Sequence, residues 1–192
     1  MAATYDRRWS HYVEASAAAT LARLDFSAIS SVLDIGCGTG VMLAALAGRS
    51  QARLHGIDPV REMLRVAQAR LSAGARLVQG SGGQLPYRDE SFDLVLSCSV
   101  FHYLRQPAQA AAEFHRVLKP GGRVIVTDWC ADYWTCRALD LWLRIFNAAH
   151  FRTYRQQECA ALFERAGFCL LSAERYKIDW FWGLMTITGT RA

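Results

Sequence analysis

No stretch of this chain approaches the ~20 consecutive apolar residues that a membrane-spanning helix requires. The longest uncharged runs, such as Leu94–Leu104, fall far short of that length. The opening MAATYDRRWSHYVEAS is charged throughout and lacks an apolar core, so no secretory signal is expected. Of the six cysteines, at 37, 98, 130, 136, 159 and 169, no two have C-x2-C spacing or closely spaced histidines beside them, which argues against a metal site. Free thiols without a signal point to a reducing, cytoplasmic setting. Lysine is scarce, two residues against 20 arginines, and the arginines are scattered. The net charge of +5 therefore makes no basic stripe for a nucleic-acid groove. Internal repeats and low-complexity tracts are missing too. With 52% hydrophobic and 20% charged residues, a disordered or fibrous chain is excluded.

What is present is enough for one domain. A chain of 192 residues buries about 70% of its unfolded surface without disulfide or metal staples. Residues 4–24 place Tyr5, Trp9, Tyr12, Val13, Ala17, Leu21 and Leu24 at spacings of 3 and 4, an amphipathic helix with an aromatic face. Strands and helices then alternate. Strands are expected at 31–36, 53–58, 75–79, 92–98 and 123–129, and helices at 41–48, 60–73 and 107–118. Lys119-Pro120-Gly121-Gly122 reads as a turn. A mainly helical insertion over 130–154 and a helix over 156–166 precede two closing strands, 168–178 and 184–190. The alternation implies a parallel sheet wound on both faces. About five residues join the last two strands, too few for a parallel crossover, so that pair is antiparallel. We expect a single domain over 1–192, with a helical cap at 1–27 and a cap insertion at 130–155.

The most informative segment is Val32-Leu-Asp-Ile-Gly-Cys-Gly-Thr-Gly40, where the first strand gives way to a helix. Its alternate glycines allow a sharp turn and close approach of a ligand. Asp58 ends the second strand, where a doubly wound sheet meets ribose hydroxyls. The pattern is G-x-G-x-G, not the dinucleotide G-x-G-x-x-G, and Asp34 stands two residues before the first glycine. A carboxylate there repels a pyrophosphate and welcomes a cation. This points to S-adenosylmethionine and away from a nicotinamide dinucleotide.

VLDIGCGTG, GIDPVREML, FDLVLSCSVFHYL and RVLKPGGRVIVTDW, in that order, resemble the motifs of class I S-adenosylmethionine-dependent methyltransferases. The likeness is nearest to the small-molecule group that includes quinone-biosynthesis methyltransferases and is strong over about 31–129. It implies an α/β, Rossmann-like, doubly wound seven-stranded sheet in the order 3-2-1-4-5-7-6, with strand 7 antiparallel and a small helical cap. It also implies cofactor-binding roles. Asp34, Gly36, Cys37, Gly38 and Gly40 would serve the methionine part, and Asp58 the ribose. Pro59 and Met63 would touch the adenine, and Ser97 and Cys98 would offer carbonyls to the ammonium. In the third motif, Gly80-Ser81-Gly82, Ser81 stands where the family often has an aspartate for the adenine amino group, and Gln84 is a candidate substitute.

The acceptor pocket is expected beyond the carboxyl ends of the strands. The segments that reach there are aromatic. Tyr5, Trp9, Tyr12, His102, Trp129, Trp134, His150 and Tyr154 are the candidate acceptor contacts, and they suit a small apolar or aromatic molecule. His102 is the candidate base, with His150 behind it; Asp128 orients an acceptor or caps the next helix. Cys37, Cys98 and Cys169 read as small hydrophobes, and His11, His55 and His115 as surface or helix-face residues. In 137–146 the charges Arg137, Asp140 and Arg144 share one narrow face, and the remaining residues are apolar enough to need a second element or a ligand. Two rival functions stay open: a nucleic-acid methyltransferase, and a cofactor-binding partner subunit without activity. The attacked atom and a monomeric or homodimeric state are also open.

Overall fold

The computed structural model describes residues 2–25, 29–71 and 74–192, with side chains at Trp9 and from His11 onward within those ranges. The proposed acceptor contact Tyr5 lies outside the described side chains, and Ala73, the expected end of the second helix of the alternation, lies outside the described residues.

The chain runs α1 (Ala2–Leu21), β1 (Ser31–Ile35), α2 (Val41–Ala47), β2 (Arg53–Asp58), α3 (Arg61–Leu71), β3 (Ala75–Gln79) and β4 (Phe92–Cys98). A single 3-10 turn at Phe101–Tyr103 follows, then α4 (Pro107–Val117), β5 (Leu118–Trp129), α5 (Trp134–Phe146), α6 (Gln156–Arg165), β6 (Phe168–Lys177) and β7 (Gly183–Arg191). The seven strands stand in the order β3-β2-β1-β4-β5-β7-β6. All neighbours are parallel except β7, which is antiparallel to both β5 and β6. The β6–β7 hairpin closes through Asp179, whose carboxylate accepts from Phe181 N and Trp182 N. The short link fixes the direction of the last strand, as expected.

Central strands buried on both faces read as continuous apolar runs, and β1 is buried at every position. Its residues alternate between two cores. Val32 packs with Leu43, Leu46, Leu94 and Ile125 under α1 and α2. Leu33 and Ile35 pack with Phe114, Val124 and Phe163 under α4 and α6. Each such side chain contributes roughly 1.5–3 kcal/mol by leaving water. At the amino ends of β1 and β4, Asp93 accepts from Ser30 N, Ser30 Oγ, Ser31 Oγ and Lys119 Nζ, tying β1, β4 and β5 together.

Three features depart from the expected elements. The Lys119–Gly122 turn is absorbed into β5 as an irregularity in its register with β4, between Phe92 and Leu94. The strand therefore begins at Leu118, because the bulge lets pairing resume without ending the ladder. His55 is neither a surface nor a helix residue. It lies on β2, edge-on to Tyr87 and Phe92. Cys169 is exposed, since it occupies an outward position on the edge strand β6.

The largest departure is α5. Asp140, expected on a solvated charged face, is buried, while Trp134, Leu141, Trp142, Ile145 and Phe146 are exposed. Asp140 turns inward because three partners wait there. Its carboxylate meets His150 Nε2 at 2.8 Å, Thr153 N at 2.6 Å and the Arg144 guanidinium at 2.8 Å. A buried carboxylate that is paired and hydrogen-bonded is tolerated, and its position sets the rotation of the helix.

α1 lies across the carboxyl ends of β4 and β5, pinned by a buried hydroxyl chain. Thr20 Oγ1 is 2.8 Å from Thr127 Oγ1, which meets Thr186 Oγ1 at 2.9 Å. Thr186 in turn meets the Tyr176 hydroxyl at 2.8 Å. This chain sets the roof of the cleft described next.

Candidate functional site

A cleft of about 740 Å³ opens at the carboxyl ends of β1, β2 and β4, where strand order reverses direction across the sheet. Its floor is the glycine turn. Gly36, Gly38 and Gly40 have φ of 68°, 52° and 79°, a region costly for other residues. A Cβ on Gly36 would stand 2.3 Å from Val100 Cγ2, so this glycine is needed for close packing. A Cβ on Gly38 would meet nothing nearer than 4.0 Å and would project into space a ligand needs. Gly40 does not line the cleft. It starts α2 and lets Ala67 approach to 3.0 Å of where its Cβ would be.

Two acids face this floor. Asp58 Oδ2 accepts from Gly38 N at 2.9 Å and Oδ1 from Val60 N at 2.8 Å. The residue thus clamps the turn, and each oxygen retains a lone pair for a ligand. Burial pushes its carboxyl up, against the two backbone hydrogen bonds. Asp34 is 2% exposed, and its Oδ2 has no hydrogen-bond partner. Burial, then the charge of Asp58, raises the Asp34 carboxyl well above the usual range. The same burial, with both acids, drives up the Cys37 thiol. An orphaned buried carboxylate beside a second one fits a cationic ligand and disfavours a phosphate. The residues present therefore fit the ammonium, sulfonium and ribose of S-adenosylmethionine.

Pro59, Met63, Gly80, Ser81, Gly82 and Cys98 also line the cleft. Ser81 and Gln84 form an isolated bridge, but Gln84 is exposed and is not among the lining residues. Ser97 stops short of the cleft. It is paired to Ile35 and to Val126 in mid-sheet, and its hydroxyl is buried without a partner.

Several wall residues were not among the expected site residues. Val13, Ser16 and Ala17 come from α1, Tyr103 ends the 3-10 turn and Leu104 to Gln106 follow it, and Asn147 and Ala149 follow α5. Ser99 holds φ 61°, unusual for a side chain with a Cβ, and meets the Tyr12 hydroxyl at 2.5 Å. Long-range packing of three segments assembles this wall, which local motifs do not encode.

The expected acceptor contacts fall into three groups. Tyr12, Trp129, His102 and His150 form a buried stack behind the wall. The rings of His102 and Trp129 lie parallel at 4.1 Å, and those of Trp129 and His150 are 5.9 Å apart. Trp129 Nε1 donates to the Tyr12 hydroxyl at 2.7 Å, and Trp182 covers the stack, with Trp9 edge-on to it at 6.0 Å. Tyr154 packs against Phe101 in the main core, away from the cleft, because its strand-like bridge to Cys130 draws it inward. Trp134 is 73% exposed at the start of α5, since the inward turn of Asp140 sends it outward.

His102 neither lines the cleft nor is free of partners. Asp128 holds it, with Oδ1 2.7 Å from Nδ1 and Oδ2 accepting from its backbone N–H at 3.1 Å. An ionised carboxylate only accepts, so Nδ1 carries the proton and Nε2 presents a lone pair. Nε2 is buried and has no partner. His150 repeats the arrangement: Nε2 meets Asp140 and Nδ1 is orphaned. Burial lowers the pKa of His150 and outweighs the opposing pull of Asp140. Asp128 is thus an orienting partner of a histidine and accepts from the backbone of the 3-10 turn, with no bond among the described residues to the helix that follows it. Among the described residues, no group of three or more His, Cys, Asp or Glu is placed to hold a metal.

Comparison with known proteins agrees with this geometry. A family model described as a methyltransferase domain matches residues 33–126. The chain is 29% identical over 188 residues to a demethylmenaquinone methyltransferase of Lactiplantibacillus plantarum, covering 82% of this chain and 78% of that one. It is 36% identical over 111 residues to methyltransferase GfsG of Streptomyces halstedii, covering 55% of this chain and only 40% of the relative. A crystal structure of an S-adenosylmethionine-dependent methyltransferase from Thermotoga maritima, described as a possible histamine N-methyltransferase, superposes with a TM-score of 0.82 at 22% identity. That match covers 98% of this chain and 95% of the other, a likeness of fold. The family match begins at the strand that carries Asp34 and ends on β5, so it spans the two acids and the glycine turn, and these likenesses together support a class I S-adenosylmethionine-dependent methyltransferase.

Proposed function

We propose that this chain transfers the methyl group of S-adenosylmethionine to a small apolar or aromatic molecule. The observation that carries the reading is the cleft: about 740 Å³, roofed by α1 and walled by Tyr103 and Leu104. That volume lies in the range of small-molecule sites, roughly 300–1,000 Å³. Arg105 is the one cationic side chain among the lining residues, which leaves little to grip a nucleic-acid backbone. By its name, the Lactiplantibacillus relative acts on demethylmenaquinone, an apolar ring, which supports the same acceptor class.

When bound, the cofactor supplies a methyl group on a sulfonium, open to in-line displacement. The protein supplies alignment and exclusion of water, and alignment is worth up to ~7–11 kcal/mol in favourable cases. Asp34 would face the ammonium and Asp58 the ribose diol, with Gly36, Cys37 and Gly38 packing beneath. Pro59 and Met63 would flank the adenine, with Gly80, Ser81 and Gly82 at its edge. Tyr12 and Trp9 would hold the acceptor side through α1. For an acceptor that must lose a proton, His102 Nε2 is the base and Asp128 fixes its tautomer. Tyr103, which lines the cleft, lies ring to ring with His102 at 4.0 Å.

The test uses S-adenosylmethionine labelled in the methyl group, incubated with the protein and separated fractions of bacterial extract. Label is expected in organic-soluble small molecules. Label confined to RNA or protein would overturn the acceptor class.

A further inference from the structure

α5 turns its apolar side to solvent. Trp134, Leu141, Trp142, Ile145 and Phe146 are 55–73% exposed and recur at helical spacing on one face. A contiguous patch of this kind on a protein surface marks a partner or a membrane. The charges around it are mostly basic, Arg137, Arg144, Arg152 and Arg155 against Asp140 and Glu158. On α5 itself the sole acid, Asp140, is buried and bridged to Arg144, which leaves Arg137 as the helix's other charge at the edge of the patch. A shallow groove alongside adds Arg152 and Arg155, and its second acid, Glu158, is already bridged to Arg152. Trp180, 77% exposed, stands in the β6–β7 turn, and the next residue, Phe181, accepts through its carbonyl from Thr135 Oγ1 at the start of α5.

We propose that α5 is an interfacial helix that seats this protein on an anionic lipid surface. Its aromatic and aliphatic residues enter the acyl boundary, and the flanking arginines meet lipid phosphates. A second copy of the chain fits the face poorly. A helix of 13 residues is about 20 Å long and ~10 Å wide, a footprint of roughly 200 Å² against the ~800 Å² per partner of a stable dimer. Two-fold pairing would also set Arg137 near its own copy, and the one acid of the helix, Asp140, is already held by Arg144 and His150. The helix ends at the mouth of the cleft, since Asn147 and Ala149 line it. An acceptor dissolved in the bilayer would enter there, a role that rests on the apolar-acceptor reading above.

Sucrose-loaded vesicles of phosphatidylcholine, with and without phosphatidylglycerol, test the proposal by co-sedimentation with the whole chain. We expect binding to the anionic vesicles, with partition at least about tenfold above that to neutral ones. Trp142→Glu combined with Ile145→Glu should lower it at least about tenfold, and Arg137→Gln should lower it on anionic vesicles only. Leu171→Glu, at an exposed position on β6, should leave it unchanged. Equal S-adenosylmethionine binding heats across these variants would show that the fold is kept. No binding by the natural sequence, or equal binding by the double variant, would overturn the proposal. So would a dimer in sedimentation equilibrium that the double variant dissolves. Vesicle binding and the acceptor reading fail separately. Loss of the first leaves methyl transfer to a detergent-dispersed apolar acceptor intact, and absence of organic-soluble label defeats the second whatever the vesicles show.

Discussion

Asp34 carries a cost in the absence of ligand, because a buried carboxyl with an orphaned oxygen has lost water and gained nothing. Its pKa is raised, as is that of Asp58. Such groups stabilise the folded chain below their ordinary pKa, and that contribution is lost as pH rises through the raised value. A cationic ligand favours the ionised form, so cofactor affinity should rise with pH over the same window. Asp34→Asn is expected to weaken S-adenosylmethionine binding by about 1–3 kcal/mol, while the ligand-free protein at neutral pH is as stable or more so. Calorimetric titration and urea unfolding across pH read both effects; unchanged affinity would remove Asp34 from the site. Asp34, Gly36, Gly38 and Asp58 were legible in sequence because one turn and one strand end bring them together. Asn147 and Ala149 were not, because the segment after α5 reaches the cleft through packing that leaves no local pattern.

At the scale of elements, a ligation point far from the cleft holds the sheet. Burial would raise the Asp93 carboxyl, but hydrogen bonds from Lys119, Ser30 and Ser31 outweigh it and hold the group well below the usual carboxylate range. Its contribution is therefore present above the ordinary pKa and lost as pH falls through the depressed one. Asp93→Ala should cost about 1–3 kcal/mol in urea unfolding at neutral pH. Cofactor affinity should stay as it was, since Asp93 lies at the opposite ends of the strands; an equal loss of affinity would contradict this division. The alternation of strands and helices and the final hairpin were readable, since periodicity and link length are local. The rotation of α5 was not. Apolar content argued for burial of its large residues, but Asp140 found His150 and Thr153 in the segment that folds back after the helix, with Arg144 one turn on, and these partners decided which side faces inward. The same blindness put Trp134 and Tyr154 at the acceptor.

For the molecule as a whole, one end of the sheet does the chemistry and the other holds the strands in register. The two hydrophobic layers fix the sheet, the hydroxyl chain from Thr20 to Tyr176 fixes α1 over it, and the cleft lies between. Among the described residues no helix is long and apolar enough to cross a membrane. The two buried acids and the glycine turn select a cationic nucleoside cofactor over a dinucleotide. Calorimetric titration of the natural protein and of Asp58→Ala with S-adenosylmethionine and with NAD tests it directly. S-adenosylmethionine should bind at one site, weakened by about 1–3 kcal/mol in Asp58→Ala, and NAD should give no heat. Binding of NAD with no heat from S-adenosylmethionine would contradict it.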